Sequence, residues 1–555
     1  MPTNPNDRPT KIGVITQGSL SKGVEMKLDA SVLIEDVTAG TFVVIQGAQY
    51  DFFSMITDAR IEAANDDIFL HPPDEEDQLL RDVMHGNSTF ATISLKPMLM
   101  LPNGRHQDLA DEPPRVVKTI PSHFSRVASA TSDDVARIFG HEANEGGNTY
   151  FHMGEPLGME GIPVCINLER LVERSNAVFG KTGTGKTFLT RLLLSGTIKT
   201  NRAVNLIFDM HSEYGLNARQ EGGAAFVKGL RELFPSKVVI FSLDPKSTRS
   251  RGATPDLDVY LYADQILPED ILPLRETLSL NATAAESAFL VQQKYGREWL
   301  RQILETDAAG IEELANICGA NTSSLEALKR KLSPFVQYDF FKTESSRDKQ
   351  DVIKSLLDYI DQGKSIVLEF GKYDDLKVYL LVANVITRRL RDAYERKTST
   401  YLQTKNDADK PQPLIITIEE AHKFLSPGIA RETPFGKIAR EMRKFFVSLL
   451  VVDQRPSAID EEVLSQIGTK VVAQLSDEKD IGAALVGTSN ASSLRQILAS
   501  LDSKQQALVL GHAVPMPVVV KTRTYDETFY EAMMQDADQP NSAKEARDEM
   551  KDLFY

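Results

Sequence analysis

The chain lacks any long hydrophobic run: nowhere in its 555 residues do apolar residues approach the eighteen or so needed to cross a bilayer. That argues against a membrane-embedded protein. Cysteine is scarce as well. Cys165 and Cys318 stand far apart and without metal-ligand spacing, which excludes a disulfide framework and suits a reducing compartment. Residues 1–10 are polar and rich in Pro and Asn, with no apolar stretch of a signal peptide. The expected location is the cytoplasm. An excess of positive charge is missing too. The formal net charge is −15, so no broad basic footprint for a nucleic acid is expected. Charge alone decides little here, because a few basic residues lining a channel are enough to hold one. The chain shows no internal repeat and no nuclease constellation.

What is there is the composition of a soluble globular protein, 42% hydrophobic and 25% charged, on a chain too long for one domain. Residues 1–10 read as a disordered start. Over residues 11–170 the runs IGVITQGS, VLIEDV, FVVIQGAQYDFFSMITDARI and TFATISLKPMLML are β-branched or aromatic and broken by Gly, Asn and Asp. A small β-barrel is expected, with GIPVCINL (161–168) as a closing strand. Residues 102–150 are polar and irregular, with Pro113-Pro114 and Glu145-Gly146-Gly147, and read as an insertion.

From residue 171 the pattern changes to strands alternating with helices, the mark of a parallel sheet covered on both faces. The strands are NAVFG (176–180), VNLIFD (204–209) and KVVIFSL (237–243) in a first half to residue 261. Residues 262–348 break the rhythm with helix-period stretches and read as a helical insertion. A second half over 349–525 resumes with SIVLEF, PLIITIEE, FVSLLVVDQ and KVVAQL, and ends in a β pair, ALVLGHA and MPVVVKTRT. Residues 526–555 are charged and helix-prone, an arm or tail. The fold class is therefore α/β, a RecA-like P-loop core with an N-terminal barrel and an inserted helical subdomain.

The chemistry begins at residues 180–187. Gly180-Lys181-Thr182-Gly183-Thr184-Gly185-Lys186-Thr187 matches G-x-x-x-x-G-K-[ST]. The glycines let the backbone wrap and aim its N–H groups at phosphates, and the helix that starts there adds its positive dipole end. Lys186 reaches the β- and γ-phosphates, and the Thr187 hydroxyl is placed to ligate Mg²⁺. The apolar strand before the motif and the amphipathic helix after it are the context it requires. ATP and Mg²⁺ are the expected ligands.

Hydrolysis asks for more than a cradle. PLIITIEEAH (413–422) is an apolar strand ending in two carboxylates, and a parallel strand's C-terminal end faces the ligand crevice. Glu419 can hold Mg²⁺ through water, and Glu420 can orient and deprotonate the attacking water. A solvated acidic turn is the bland alternative. IFDMHSEYG (207–215) also ends a buried strand in polar residues. Asp209 there is either a site residue or a helix cap, and His211 either a site or a surface histidine. Gln454, at the end of the 446–454 strand, is a candidate γ-phosphate sensor or a loop-stabilising amide. Arg440, Arg443 and Lys444 form a solvated basic face, or supply an arginine finger or a DNA contact.

Taken in order, VFGKTGTGKT (178–187), IFDMHSEYG, ITIEEAH (416–422), AREMRKF (439–445) and VVDQRPSAID (451–460) resemble the HerA family of hexameric DNA translocases, within the FtsK–HerA group of P-loop motors. The resemblance covers most of residues 11–525, and the barrel resembles that family's HAS-barrel. It implies a homohexameric ring with ATP at subunit interfaces and double-stranded DNA through the pore. It implies nucleotide contacts from Gly180 through Thr187 and the adjoining Phe188, Glu420 as catalytic carboxylate, Gln454 as sensor and Arg443, then Arg440, as the finger acting in trans. Two departures stand out. Glu419 occupies the position where the general pattern has aspartate, and Met442-Arg443-Lys444 stands for a GRK-like segment. The resemblance further implies a NurA-like nuclease or an antiviral effector docked on the barrel. An ATP-dependent ring scaffold and a conjugation- or secretion-type ATPase are the alternatives.

Overall fold

In the computed structural model, the described residues are 10–65, 84, 88–103, 114–142, 149–219, 226–346, 349, 351–488, 491–502 and 505–534. They divide into two compact units, one of residues 1–167, 472–474 and 488–523, the other of 168–471, 475–487 and 524–555. The expected disordered start and most of the expected C-terminal arm lie outside the described residues.

The first unit holds a closed barrel. Six strands follow one another around it, Gly23–Leu28, Lys11–Ser19, Arg126–Ser129, Phe42–Gln46, Tyr50–Ala63 and Thr89–Pro102, and the last pairs back with Gly23–Leu28. Every pairing is antiparallel. Alternate residues such as Met26, Ile45, Phe52, Ile93 and Val127 point inward and fill the interior, which the period of two along a strand demands. Closure leaves no long edge open to another chain.

Three expectations are corrected here. VLIEDV is no strand: its centre is a 3-10 turn over Ile34–Asp36, and the missing strand is Gly23–Leu28, whose Lys and Glu look outward. Part of the stretch expected to be irregular carries a barrel strand, Arg126–Ser129, and a helix, Ser132–Phe139, started by a capping box between Thr131 and Asp134. GIPVCINL does not close the barrel. Its strand Val164–Asn167 pairs with Tyr150–Pro156, which in turn pairs with Val518–Thr522. The late hairpin Gln506–Gly511/Val518–Thr522 belongs with these strands to the first unit.

The second unit is built on a parallel sheet in the order Leu257–Asp258, Val238–Ser242, Ser365–Glu369, Val204–Asp209, Leu414–Glu419, Val447–Asp453 and Asn176–Phe179. Its central strands are buried along their whole length, which is why they read as continuous apolar runs. The helical insertion is framed by a short parallel pair, Leu261–Tyr262 with Phe341–Lys342. Within it Trp299 is fully buried and donates its indole N–H to the Ile266 carbonyl at 2.9 Å. The sheet order sets the C-terminal ends of the strands finishing at Phe179, Asp453, Glu419 and Asp209 side by side.

Candidate active site

The P-loop follows its strand directly. Gly183 and Gly185 sit at φ +80° and +84°. A side chain at Gly183 would meet nothing within 4 Å, so the left-handed backbone, not crowding, requires glycine there. Gly185 caps the helix Lys186–Lys199, whose first turn presents Lys186, Thr187 and Phe188 at its positive end. Lys186 Nζ donates to the Lys181 carbonyl at 3.2 Å, and the Thr184 hydroxyl to the same carbonyl at 2.8 Å. These two bonds hold the loop in its wrapped shape.

Gln454 bridges the loop to the carboxylate side. Its Oε1 accepts from the Thr182 hydroxyl and its Nε2 donates to Glu420 Oε1 at 2.9 Å. Glu420 itself has φ +48°, a left-handed conformation that costs a non-glycine residue about 1–2 kcal/mol. The turn that follows is fixed by Asp453, 1% exposed, which accepts from the His422 backbone N–H at 2.7 Å, from Arg455 N–H at 2.7 Å and pairs with His422 Nδ1 at 2.9 Å. Asp453 also offers its carbonyl to Gly180 N–H at 3.3 Å. One residue thus ties the start of the phosphate loop to the turn that carries Glu420.

Glu419 occupies a different environment. Its Oε1 accepts from the Tyr214 hydroxyl at 2.8 Å, and its backbone is bracketed by the Tyr379 hydroxyl. Oε2 is sealed from solvent and has no hydrogen-bond partner. Burial pushes its pKa up to about 8; the Tyr214 bond opposes this, and the carboxylates of Asp209, Glu213 and Glu420 add to it.

Asp209, expected from its strand-end position to be a site residue or a helix cap, has both oxygens taken up by the turn that follows it. Fully buried, it accepts from the backbone N–H groups of Glu213, Tyr214 and Gly215 at 2.7, 2.9 and 3.2 Å. Burial raises its pKa to about 6 against the pull of those amides. Its effect on the site is indirect: it shapes the turn that delivers Glu213, whose Oε2 accepts from the Thr187 hydroxyl at 2.8 Å. Glu213, Tyr214, Tyr379 and Asp453 are the residues that sequence reasoning did not assign to the site. The polar HSEYG turn was the available signal for the first two. His211 is exposed on that turn.

The arrangement fits Mg²⁺. Among the described residues no three His, Cys, Asp or Glu side chains form a cage that could hold a metal ion by themselves. Mg²⁺ needs none, since it keeps waters and takes one or two protein ligands beside substrate phosphates. The Thr187 hydroxyl, the Glu213 carboxylate on it and the orphaned Glu419 Oε2 are the groups that would hold it, and a cation there would draw the proton from Glu419. Of the two arginines, Arg443 is 62% exposed and 3.8 Å from Glu173, whereas Arg440 has Nη1 sealed from solvent without a partner.

Residues 151–390 match the family model described as helicase HerA, central domain. The DNA double-strand break repair helicase HerA of Pyrococcus furiosus is 22% identical over 426 residues, covering 72% of this chain and 73% of the relative. Its namesake in Sulfolobus acidocaldarius is 26% identical over 394 residues, covering 67% and 69%. Among solved structures, VirB4 of Thermoanaerobacter pseudethanolicus superposes with a TM-score of 0.39 at 15% identity, over 69% of this chain and 98% of that one.

Proposed function

We propose that this ATP-hydrolysing enzyme is a member of the HerA helicase family and a homohexameric translocase on double-stranded DNA. In this reading it works with a partner nuclease or effector that docks on the N-terminal barrel, in DNA-end processing or antiviral defence. The observation that carries the motor reading is the hydrogen-bonded path from Thr182 on the phosphate loop through Gln454 to Glu420. It joins the nucleotide cradle to the carboxylate that would act on water.

The residues take the following roles. Lys186 and the N–H groups of the loop bind the triphosphate, and Lys186 balances the charge that develops on it. Thr187, Glu213 and Glu419 would hold Mg²⁺, which would supply further charge neutralisation. Glu420, in its left-handed backbone and bonded to Gln454, orients the attacking water and takes up its proton. Gln454 reports the state of the γ-phosphate, because any shift of its amide moves both Thr182 and Glu420. Arg443, exposed on the surface, is the candidate to complete a neighbouring subunit's site, with Arg440 second. Among the described residues no helix is long and apolar enough to cross a membrane.

The test is ATP turnover with and without linear double-stranded DNA, using Lys186→Ala as the blank. Strong stimulation that the variant loses supports the motor. Turnover indifferent to DNA sinks it and favours an ATP-dependent ring that scaffolds an effector.

A further inference from the structure

Phe188 closes the first turn of the P-loop helix, and its ring meets the Tyr525 ring edge-on at a centroid distance of 5.7 Å. Tyr525 comes from the far end of the chain. Both rings are half-buried, and Phe188 stands just past the glycine that caps the phosphate-binding helix. A partly exposed aromatic pair, one residue beyond the phosphate-loop hydroxyl, is where a nucleotide's apolar base needs a surface.

The segment that brings Tyr525 is firmly seated. The Tyr525 hydroxyl donates to the Lys228 carbonyl at 3.0 Å, and the Tyr530 hydroxyl donates to the Tyr525 carbonyl at 3.2 Å. Lys228 Nζ lies 4.8 Å from the Tyr530 ring centre. Asp526 accepts from Phe529 N–H at 3.1 Å and so starts the helix Glu527–Met534. Arg191, one turn beyond Phe188 and 5% exposed, sits with its guanidinium carbon 5.7 Å from the Tyr525 ring centre. The same guanidinium donates to the Glu213 carbonyl, and the Glu213 carboxylate takes the Thr187 hydroxyl. The C-terminal segment is therefore bonded, through Arg191 and Glu213, to the phosphate loop itself.

We propose that Phe188 and Tyr525 form the nucleobase platform of the ATP site, so that residues 524–534 complete that site and nucleotide binding is linked to their docking. The proposal rests on the ATP-binding reading of the P-loop and adds the base contact to it. Stacking on a ring needs no particular base edge, so the platform accepts a purine base without reading it closely. The cation beside Tyr525 strengthens the ring's hold on its neighbours.

Equilibrium binding by calorimetry, with the full chain and no turnover, separates the base from the phosphates. The two probes are a non-hydrolysable ATP analogue and inorganic triphosphate, each with Mg²⁺. Tyr525→Ala is expected to weaken the analogue about tenfold, the scale of one lost aromatic stack, and to leave triphosphate unchanged. Tyr525→Phe keeps the ring and should bind both like wild type. Phe188→Leu, which preserves apolar volume in the helix, should reproduce the selective loss if Tyr525→Ala fails to fold. Equal weakening of both probes overturns the proposal, since Tyr525 would then act on the phosphates through Arg191 and Glu213. Unchanged analogue binding in both variants overturns it as well. A wild-type chain that binds neither probe refutes the ATP site first, and the platform with it.

Discussion

Neighbouring strands of the parallel sheet end in carboxylates that meet opposite fates. Val204–Asp209 and Ser365–Glu369 are paired so that Asp209 faces Glu369, and both residues are fully buried. Asp209 is consumed by three backbone amides; Glu369 takes the Arg251 guanidinium and the Thr248 hydroxyl, at 2.8 Å, on Oε2 alone. On the other flank, Leu414–Glu419 ends in Glu419, with an oxygen that nothing in the protein satisfies, and Glu420, aimed by a strained turn at a glutamine. Position at a strand's C-terminal end is shared by all of them, so position does not make a carboxylate catalytic. Nor does an unsatisfied oxygen alone separate them, since Glu369 Oε1 and Glu419 Oε2 are both sealed from solvent without a partner; what separates them is that Glu369 is held by an arginine, whereas Glu419 shares its turn with Glu420, which Gln454 joins to the phosphate loop. A carboxylate tied to amides or to an arginine is architecture, and one short of a cationic partner beside a phosphate loop is free to serve a ligand.

The sharpest way to test that division is Glu420→Gln. It keeps the shape and the contact with Gln454 but removes the base, so kcat should fall by about 10²–10⁴-fold while binding of the ATP analogue persists. Mixed with Arg443→Ala protein, it should restore part of the turnover if the arginine acts on a neighbour's site. Purely additive inactivity in the mixture would remove Arg443 from that role. Next in size comes Gln454→Ala, which strands both Thr182 and Glu420. A loss of about tenfold in kcat with little change in KM is expected, the scale of one or two lost polar contacts; a change in KM alone would make Gln454 a loop brace.

Asp209→Asn probes the architectural side and should be read as stability. Losing one acceptor oxygen under three buried amides costs about 1–3 kcal/mol, with binding of the ATP analogue retained below the melting range. The effect depends on pH. Asp209 has a folded pKa of about 6 against an ordinary 3.8, so the folded state holds its proton more tightly. That contribution is complete below about pH 4 and is lost as pH rises through 6. The gap in unfolding free energy between wild type and variant should therefore narrow over this window by on the order of 2 kcal/mol. A gap that widens with pH would mean that Asp209 is ionised and paired in the fold.

How much of this the sequence carried follows from how local each determinant is. The P-loop was readable because its residue types answer local demands, positive φ at Gly183 and Gly185 and a hydroxyl at Thr187. The core strands were readable because burial on both faces leaves an unbroken apolar run. Gly23–Leu28 was not, since its outward Glu25 and Lys27 dilute the alternation, whereas VLIEDV had the right residue types and no partner strand. The support around Glu419 escaped for a different reason. Tyr214 and Tyr379 lie 205 and 40 residues from it, and no spacing rule reports a contact made only when three strands and a helix assemble. Asp209 was visible as a polar strand end, but whether its oxygens face a ligand or the following turn is decided by the path of residues 210–215.

The smallest expected effect falls on the residue that joins the two sides of the comparison. Tyr214 gives its backbone N–H to Asp209 at 2.9 Å and its hydroxyl to Glu419 at 2.8 Å, and it is wholly buried. Burial raises its pKa well above 10, so the hydroxyl stays a donor throughout the working range. Tyr214→Phe leaves the turn and its amides intact and removes only the bond to Glu419. Stability should fall by about 1 kcal/mol, the net worth of one buried hydrogen bond. Turnover should fall less than tenfold, and the Mg²⁺ concentration needed for half-maximal turnover should rise, because Glu419 then lacks the donor that fixes its orientation. Analogue binding without Mg²⁺ should not change. A loss of turnover as deep as that of Glu420→Gln, at saturating Mg²⁺, would move Tyr214 from the support of the metal side into the chemistry itself.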